Sequence, residues 1–320
     1  MKPKEILVFG ASGQIGRHLI RKLTKNNYKV VAVTRNIHQK GYILKTQANP
    51  GYLDIVELNY FNIEKIENLL GRCSICINLI GILYEKKKNS FQKIHTDFPD
   101  LLSKLAAKKN IEKLIHLSSL GIEKAIDSKY AISKLEGENK IKKNFERCII
   151  LKPSIVYSVD DNFTTNFMTL LNRLPVMPIY YKGKTKFTPI HVTDLVEIIS
   201  KNVQVKLDEK MIECIGPEVI SFKEIILKLL KAIDKKRLLI PLPLTLAKMT
   251  AKFFELMPKP LITVDQINLL KYDNISSGQY KTNFELDLKA KKFFDEELEK
   301  YSFNWRTGGQ YSKGKASRLN

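Results

Sequence analysis

The stretch Ile6-Leu-Val-Phe9-Gly10-Ala-Ser12-Gly13-Gln14-Ile15-Gly16-Arg17 decides how the chain folds. Its opening apolar run suits a strand buried on both faces, and the glycines follow at G-x-x-G-x-x-G spacing. Ile15, Leu19 and Leu23, at i, i+4 spacing, then give the next helix its buried stripe. In such a strand, turn and helix the first glycine permits the tight turn, and the second lets the backbone approach a pyrophosphate. The third lets the helix pack on the strand, and the helix N-terminus faces the phosphates. With 15 glycines in 320 residues, this spacing directly behind a strand points to dinucleotide binding more than to a merely structural turn. The loop's candidate contacts are Gly10, Ser12, Gly13, Gln14, Ile15, Gly16 and Arg17. Arg17 reads equally as a second phosphate ligand and as a solvated helix arginine.

Working outward, short apolar runs alternate with helix-period stretches through the first half of the chain. Strands are predicted at 6–9, 30–34, 55–58, 74–80, 114–117 and 148–151, with helices at 63–70, 98–109 and 130–143. That alternation predicts an α/β fold, a doubly wound parallel Rossmann sheet with a smaller, discontinuous C-terminal cap domain. Residues 1–153 are the expected dinucleotide-binding domain, and 184–204, with a strand-then-helix look at 189–200, return to it. Residues 154–183 and 205–300 are the expected cap or partner-binding domain, irregular until a helix at 222–233. Residues 301–320 carry Arg306, Lys313, Lys315 and Arg318 and no acid. They read as a basic tail that orders only on a partner.

Composition narrows the function classes. Lys+Arg 54 against Asp+Glu 33 gives a net charge of +21, and 44% hydrophobic residues can fill a core, so a disordered chain is excluded. Four cysteines are too few for a disulfide framework. No apolar run reaches the roughly 18 residues of a membrane span, so a soluble or peripheral protein is expected. The charge seeks nucleic acid, phospholipid or an acidic protein surface. Lysine is spread along the whole chain, and no aromatic residues interleave with a basic face, so no specific nucleic acid is expected. Cys73-x-x-Cys76 enters a buried strand where the two residues point to opposite faces, which favours core packing over redox or zinc chemistry. Scattered histidines give no metal site, and His95 and His191 read as satisfied structural histidines. Lys86-Lys87-Lys88 reads as a solvated loop.

At the end of the second strand stands Val33-Thr34-Arg35-Asn36, where a ribose-binding carboxylate would sit. A guanidinium there pairs with a 2′-phosphate, so NADP(H) is expected ahead of NAD(H). Tyr130-x-x-x-Lys134 opens the helix after strand five, with Ser118 and Ser119 at that strand's end. In a hydride-transfer site the tyrosine hydroxyl moves the proton, the lysine lowers its pKa, and a serine polarises the substrate oxygen. Further on, Lys235-Lys-Arg237 precedes a proline-interrupted apolar run. The helix after it aligns Leu246, Met249, Phe253 and Met257 on one side and Lys248 and Lys252 on another. It suits an anionic membrane surface, a partner's groove, or the core of the cap itself.

These residues resemble the extended and atypical branches of the short-chain dehydrogenase/reductase superfamily, through Gly10-x-x-Gly13-x-x-Gly16, Asn78-Leu-Ile-Gly81, Ser118-Ser-Leu-Gly121, Tyr130-x-x-x-Lys134 and Lys152-Pro153-Ser-Ile-Val-Tyr157. With Thr188-Pro-Ile-His-Val-Thr-Asp194, Lys236-Arg-Leu-Leu-Ile-Pro-Leu-Pro-Leu244, Phe254-Glu-Leu-Met-Pro258 and Leu261-Ile-Thr-Val-Asp265, the chain is most similar to the nucleotide-binding accessory subunits of respiratory complex I, NADH:ubiquinone oxidoreductase. The resemblance implies a tightly held NADPH with a structural role, and complex I peripheral-arm subunits as partners. It implies a peripheral place on the cytoplasmic side of a bacterial inner membrane, or on the matrix side in an organelle. The start of the chain, close to strand one and without an Arg-rich presequence, fits a bacterial or processed protein. The resemblance adds Asn59, Gly81 and Pro153 to the cofactor contacts, with Tyr130 and Lys134 on the nicotinamide ribose. Departures are Tyr157-Ser158 where relatives often carry glycine, Asn59 where an acid is usual, and a Ser118 to Tyr130 spacing one residue short. The trio Ser118, Tyr130 and Lys134 therefore reads either as inherited architecture or as the machinery of an NADP-dependent reductase or epimerase acting on a lipid- or quinone-related substrate.

Overall fold

The computed structural model describes residues 5–59, 61–86, 89–205, 209–258 and 260–311. In chain order come β1 (Glu5–Phe9), α1 (Gln14–Lys25), β2 (Lys29–Thr34), α2 (Ile37–Lys45), β3 (Leu53–Glu57), α3 (Ile63–Arg72) and β4 (Ile75–Asn78). A π-helical turn, Gln92–Asp97, runs into α4 (Phe98–Lys108), then β5 (Lys113–Leu117), α5 (Lys129–Asn144) and β6 (Cys148–Pro153). Shorter pieces follow as β7 (Val156–Tyr157), α6 (Thr164–Arg173), β8 (Val176–Ile179), β9 (Lys186–Phe187) and β10 (Ile190–His191). After α7 (Val192–Gln204) and β11 (Met211–Cys214) come β12 (Ile220–Ser221), α8 (Phe222–Ala232), β13 (Leu238–Pro241), α9 (Leu244–Phe254), α10 (Val264–Leu269) and α11 (Phe294–Glu299).

The chain divides into two compact units, the first made of Met1–Pro153, Val192–Cys214 and Ser277–Leu288. Its sheet has seven strands in the order β11-β6-β5-β4-β1-β2-β3, and every pairing is parallel. This is the doubly wound Rossmann arrangement expected from the alternation. Parallel strands are buried on both faces, and their sequences show it. Leu7, Phe9, Val31, Val33 and Cys76 pack into one core with Ile66 and Leu70 of α3 and Phe98 and Leu102 of α4. Their neighbours Ile6, Val8, Val30 and Ala32 are equally buried on the other face. There α1 packs beside α7, joined by Lys22 to Glu197 at 2.5 Å. Asparagine or serine caps start α2, α3 and α5, where Asn36, Asn62 and Ser128 each accept from the backbone N–H three residues on.

The seventh strand departs from the expected layout. β11 was assigned to the cap but adds to β6, with Met211 opposite Ile150 and Cys214 opposite Pro153. Its central Glu213 disguises it, because a buried carboxylate breaks the apolar run. That carboxylate accepts from the Ser277 amide at 3.0 Å and from its hydroxyl, so the segment Ser277–Leu288 also belongs to the first unit.

The second unit comprises Ser154–His191, Ile215–Ser276 and Lys289–Asn320. Its core gathers Met168 and Leu171 of α6, Phe222, Ile226 and Leu229 of α8, and Phe294 and Leu298 of α11. β13 and β8 pair in parallel, from Leu238 with Val176 to Pro241 with Ile179. The reading of 301–320 as a tail is corrected at its start. Tyr301 and Ser302 are buried, and Trp305 donates its indole N–H to Thr169 Oγ1 at 2.9 Å. Arg306 donates to the Ala232 carbonyl at 2.6 Å and to Ser302 Oγ at 3.1 Å. Aromatic burial outweighs the basic composition there. Lys313, Lys315 and Arg318, with Lys87 and Lys88 of the lysine triplet, lie outside the described residues.

Candidate functional site

The order of the sheet reverses between β1 and β4, so a crevice opens at their C-terminal ends, the usual ligand position in such sheets. Gly10 ends β1 with φ +76°, and a β-carbon on it would stand 3.0 Å from the Leu79 carbonyl carbon. At Gly16 the close approach is tighter, since a β-carbon would meet the Ala11 carbonyl oxygen at 2.4 Å. Gly13 caps α1 with no side-chain hydrogen bond, and no acid lies in the first turn of α1. The positive end of the α1 dipole thus meets no side-chain carboxylate of its own first turn. Gly13 N donates to Gly10 O at 3.0 Å, which closes the turn. Gln14 and Ile15 open α1 behind it. Arg17, left open from sequence, folds back to donate to the Ser12 carbonyl at 2.9 Å, so it braces the loop.

Gly81 follows β4. A β-carbon there would lie 3.6 Å from Lys134 Nζ, so the loop after β4 passes in contact distance of the lysine head. Lys134 is buried and donates to the Leu117 carbonyl at 3.0 Å, at the end of β5. Burial lowers its pKa to about 8, with the Glu138 carboxylate opposing and the Lys152 ammonium adding to the shift. Next to Leu117, the Ser118 hydroxyl is buried with no hydrogen-bond partner among the described residues. Tyr130, one turn before Lys134 on α5, is half-buried. Its ring meets His95 edge-on at 5.2 Å and Phe91 at 5.8 Å.

His95, expected to be a satisfied structural histidine, is buried and hydrogen-bonded at both ring nitrogens. Its Nε2 accepts from the Ile82 amide at 3.1 Å. The proton therefore sits on Nδ1, which donates to Ser133 Oγ at 3.1 Å, and Ser133 in turn donates to the Tyr130 carbonyl at 2.8 Å. Burial, with the Lys134 charge second, pushes the His95 pKa down to about 2, so the ring is neutral. The chain from Ile82 through His95 and Ser133 ties the loop after β4 to the first turn of α5. His116 of β5 is also buried and neutral, its Nδ1 accepting from Asn78 Nδ2 at 3.1 Å.

The outer positions fall at the same sheet edge. Arg35 follows β2 and is exposed, while Asn36 beside it caps α2. An acid missed from sequence stands near: Glu57 closes β3 opposite Thr34, and its carboxylate accepts from the Ile37 amide at 2.8 Å. Asn59 is exposed, and its carbonyl accepts from Asn62 N at 3.1 Å. Pro153 ends β6 buried, its carbonyl accepting from Leu120 N at 2.9 Å. Behind α5, the fully buried Lys152 lies between Glu123 and Glu138, with Glu138 Oε1 at 3.1 Å. Tyr280 covers that ammonium at 5.5 Å from the ring centre.

These features fit a dinucleotide. The glycine loop forms a cradle that β-carbons would fill, and Ser118 presents a buried hydroxyl in want of a partner. No group of three or more His, Cys, Asp or Glu side chains among the described residues could hold a metal ion. Cys73 and Cys76 are both buried as thiols, and burial raises their pKa, to about 12 at Cys73.

The chain is similar to the NADH-ubiquinone oxidoreductase 40 kDa subunit, mitochondrial, of Neurospora crassa, at 24% identity over 88% of this chain and 74% of that protein. It is 26% identical to NADH dehydrogenase [ubiquinone] 1 alpha subcomplex subunit 9, mitochondrial, of Arabidopsis thaliana, over 94% of this chain and 78% of the other. A ceramide reductase of Caulobacter vibrioides is 24% identical over 59% of this chain and 57% of that one. Among solved structures, the UDP-glucuronic acid 4-epimerase of Bacillus cereus, in complex with UDP-glucuronic acid and NAD, superposes with TM-score 0.69 at 20% identity. That likeness covers 94% of this chain and 99% of the epimerase, and it shows the shared fold. The family described as NAD dependent epimerase/dehydratase matches residues 6–211. That match runs from the second residue of β1 to the first of β11, across the strands and turns that build the crevice, and the chain therefore belongs to the NAD dependent epimerase/dehydratase family.

Proposed function

We propose that this chain is an NADP(H)-binding accessory or assembly subunit associated with complex I, holding the nucleotide as a structural element. The reading rests on likeness to complex I subunits along 88% and 94% of the chain, a span that includes the second unit. In it Gly10, Ser12, Gly13, Gln14, Ile15 and Gly16 cradle the pyrophosphate at the start of α1. Arg35, exposed at the end of β2, carries the guanidinium suited to a 2′-phosphate. Asn59 lies toward the adenine, Gly81 and Pro153 line the crevice, and Tyr130 and Lys134 bond the nicotinamide ribose. Its place is peripheral, on the cytoplasmic or matrix side of the membrane that holds the complex. Consistent with that, no helix among the described residues is long and apolar enough to cross a membrane.

Two measurements test this. The nucleotide released from natively purified protein is identified with its occupancy by mass spectrometry, and stoichiometric NADPH is expected. Complex I is isolated intact from the source cells and probed for the chain. A chain that stays free of the complex overturns the association, and bound NAD overturns the assignment of Arg35.

The second reading is an NADP-dependent reductase or epimerase acting on a lipid- or quinone-related substrate, favoured by the unpartnered Ser118 hydroxyl. Bound nicotinamide supplies the hydride acceptor or donor. Ser118 then orients the substrate oxygen, Tyr130 moves its proton, and Lys134 lowers the tyrosine pKa. Tyr130→Phe should abolish turnover and leave nucleotide occupancy unchanged; unaltered turnover in that variant removes the mechanism.

A further inference from the structure

Helix α9 of the second unit is built inside out. The side chains it buries completely are small, Ala247 and Ala251. Its large apolar residues face solvent, with Leu246 49%, Met249 67% and Phe253 67% exposed, and Leu256 and Met257 just beyond it 82% and 44% exposed. Leu246, Met249 and Phe253 fall on one stripe, and Lys248 and Lys252 form the neighbouring one. The core-helix reading of this segment therefore fails for its large side chains: of α9 the cap core takes Ala247 and Ala251. Leu244 at the start of α9 and Leu261 after it extend the apolar surface at 40% and 54% exposure. The helix itself contains no acid, and Lys236 adds an exposed charge upstream. Glu255 at its C-cap is already engaged, accepting from the Val264 amide at 2.8 Å.

The geometry points to α9 and the turn after it as a surface that lies on an anionic lipid bilayer, inserting Leu246, Met249, Phe253, Leu256 and Met257 among the acyl chains and setting Lys248 and Lys252 at the phosphates. Composition separates lipid from a protein groove. Lysine is depleted from protein interfaces, whereas at a bilayer its alkyl stem snorkels along apolar surface to a headgroup, and here Lys248 and Lys252 flank Leu246, Met249 and Phe253 with no acid on the helix. Charge complementarity then selects anionic over zwitterionic lipid. The inference stands apart from the complex I reading: a chain that floats with vesicles but stays free of the complex keeps one and loses the other.

Flotation with vesicles of phosphatidylcholine, with and without phosphatidylglycerol, tests it on the full chain. Binding to the anionic vesicles is expected, weakening as salt is raised. It should fall about tenfold or more both in Met249→Ser with Phe253→Ser and in Lys248→Gln with Lys252→Gln. Tyr42→Ser, at a 65% exposed tyrosine of the first unit, should bind like the parent chain. Unchanged melting of each variant shows that the fold is kept. Absent binding, equal binding to both vesicles, or binding that the α9 variants do not reduce overturns the proposal. So does a concentration-dependent dimer abolished by the same variants without vesicle binding, which assigns the face to a second copy of the chain.

Discussion

Gly137 of α5 lies so close to His95 that a β-carbon on it would stand 1.9 Å from the His95 carbonyl oxygen. The π-helical turn thus rests on the bare backbone of α5, and that approach sets His95 against Tyr130 and Ser133. Gly137→Ala forces the two elements apart. A loss of about 1–3 kcal/mol in urea unfolding is expected.

The loop glycines should separate by how much space each has. At Gly16 an added methyl meets backbone at 2.4 Å, while at Gly13 the nearest atom, Gly10 O, is 3.2 Å away. Gly16→Ala is expected to lower stability and abolish nucleotide binding together. Gly13→Ala should keep its melting temperature within a few degrees and lose affinity about tenfold or more, since it intrudes on the ligand's side of the turn. Calorimetry and nucleotide titration on the same preparations check both.

Lys134 gives the native protein a specific pH dependence. Burial lowers its pKa from 10.5 to about 8, so the native state releases the proton before the unfolded chain does. Below about pH 8 both states are charged and the native state bears the whole cost of burial. Between about pH 8 and 10.5 the unfolded state binds more protons, and stability rises with pH by up to about 1.4 kcal/mol per unit. In Lys134→Met that contribution disappears, which unfolding curves across the window will show.

The buried Lys152 makes a further case. With Glu138 wholly buried beside it, Lys152→Met strands a carboxylate in the interior, and a loss of about 3–5 kcal/mol is expected. Adding Glu138→Leu removes the stranded charge and should restore most of that loss. If the double variant is no better than the single one, the lysine acts through packing alone.

Much of this was legible early, for identifiable reasons. Ile6 to Phe9 and the three glycines combine strand periodicity with positions only glycine can hold, so β1, the turn and α1 were readable from neighbouring residues. Tyr130 and Lys134 declared themselves through their place after strand five. The partners of His95 did not, because Ile82 and Ser133 are distant in sequence and a π-helical turn shifts the helical spacing. β11 was hidden by Glu213, a buried charge that accepts hydrogen bonds from Ser277. Tyr301 and Trp305 were masked by the basic residues that follow them, and Glu57 by standing two residues before Asn59, the position where an acid is usual.

The placement of β11 carries a consequence for synthesis. Translation delivers β1 to β6 first, with the flank of β6 that β11 will occupy still open, and α6 to α7 must be made before the closing strand appears. Glu213 then waits for Ser277, more than sixty residues later. Until β11 is made, a nascent chain therefore exposes the β6 edge, the kind of edge that recruits other strands. Premature stops between β6 and Ser277 should yield aggregates instead of a working nucleotide-binding half, and holding chaperones should engage the chain throughout that interval.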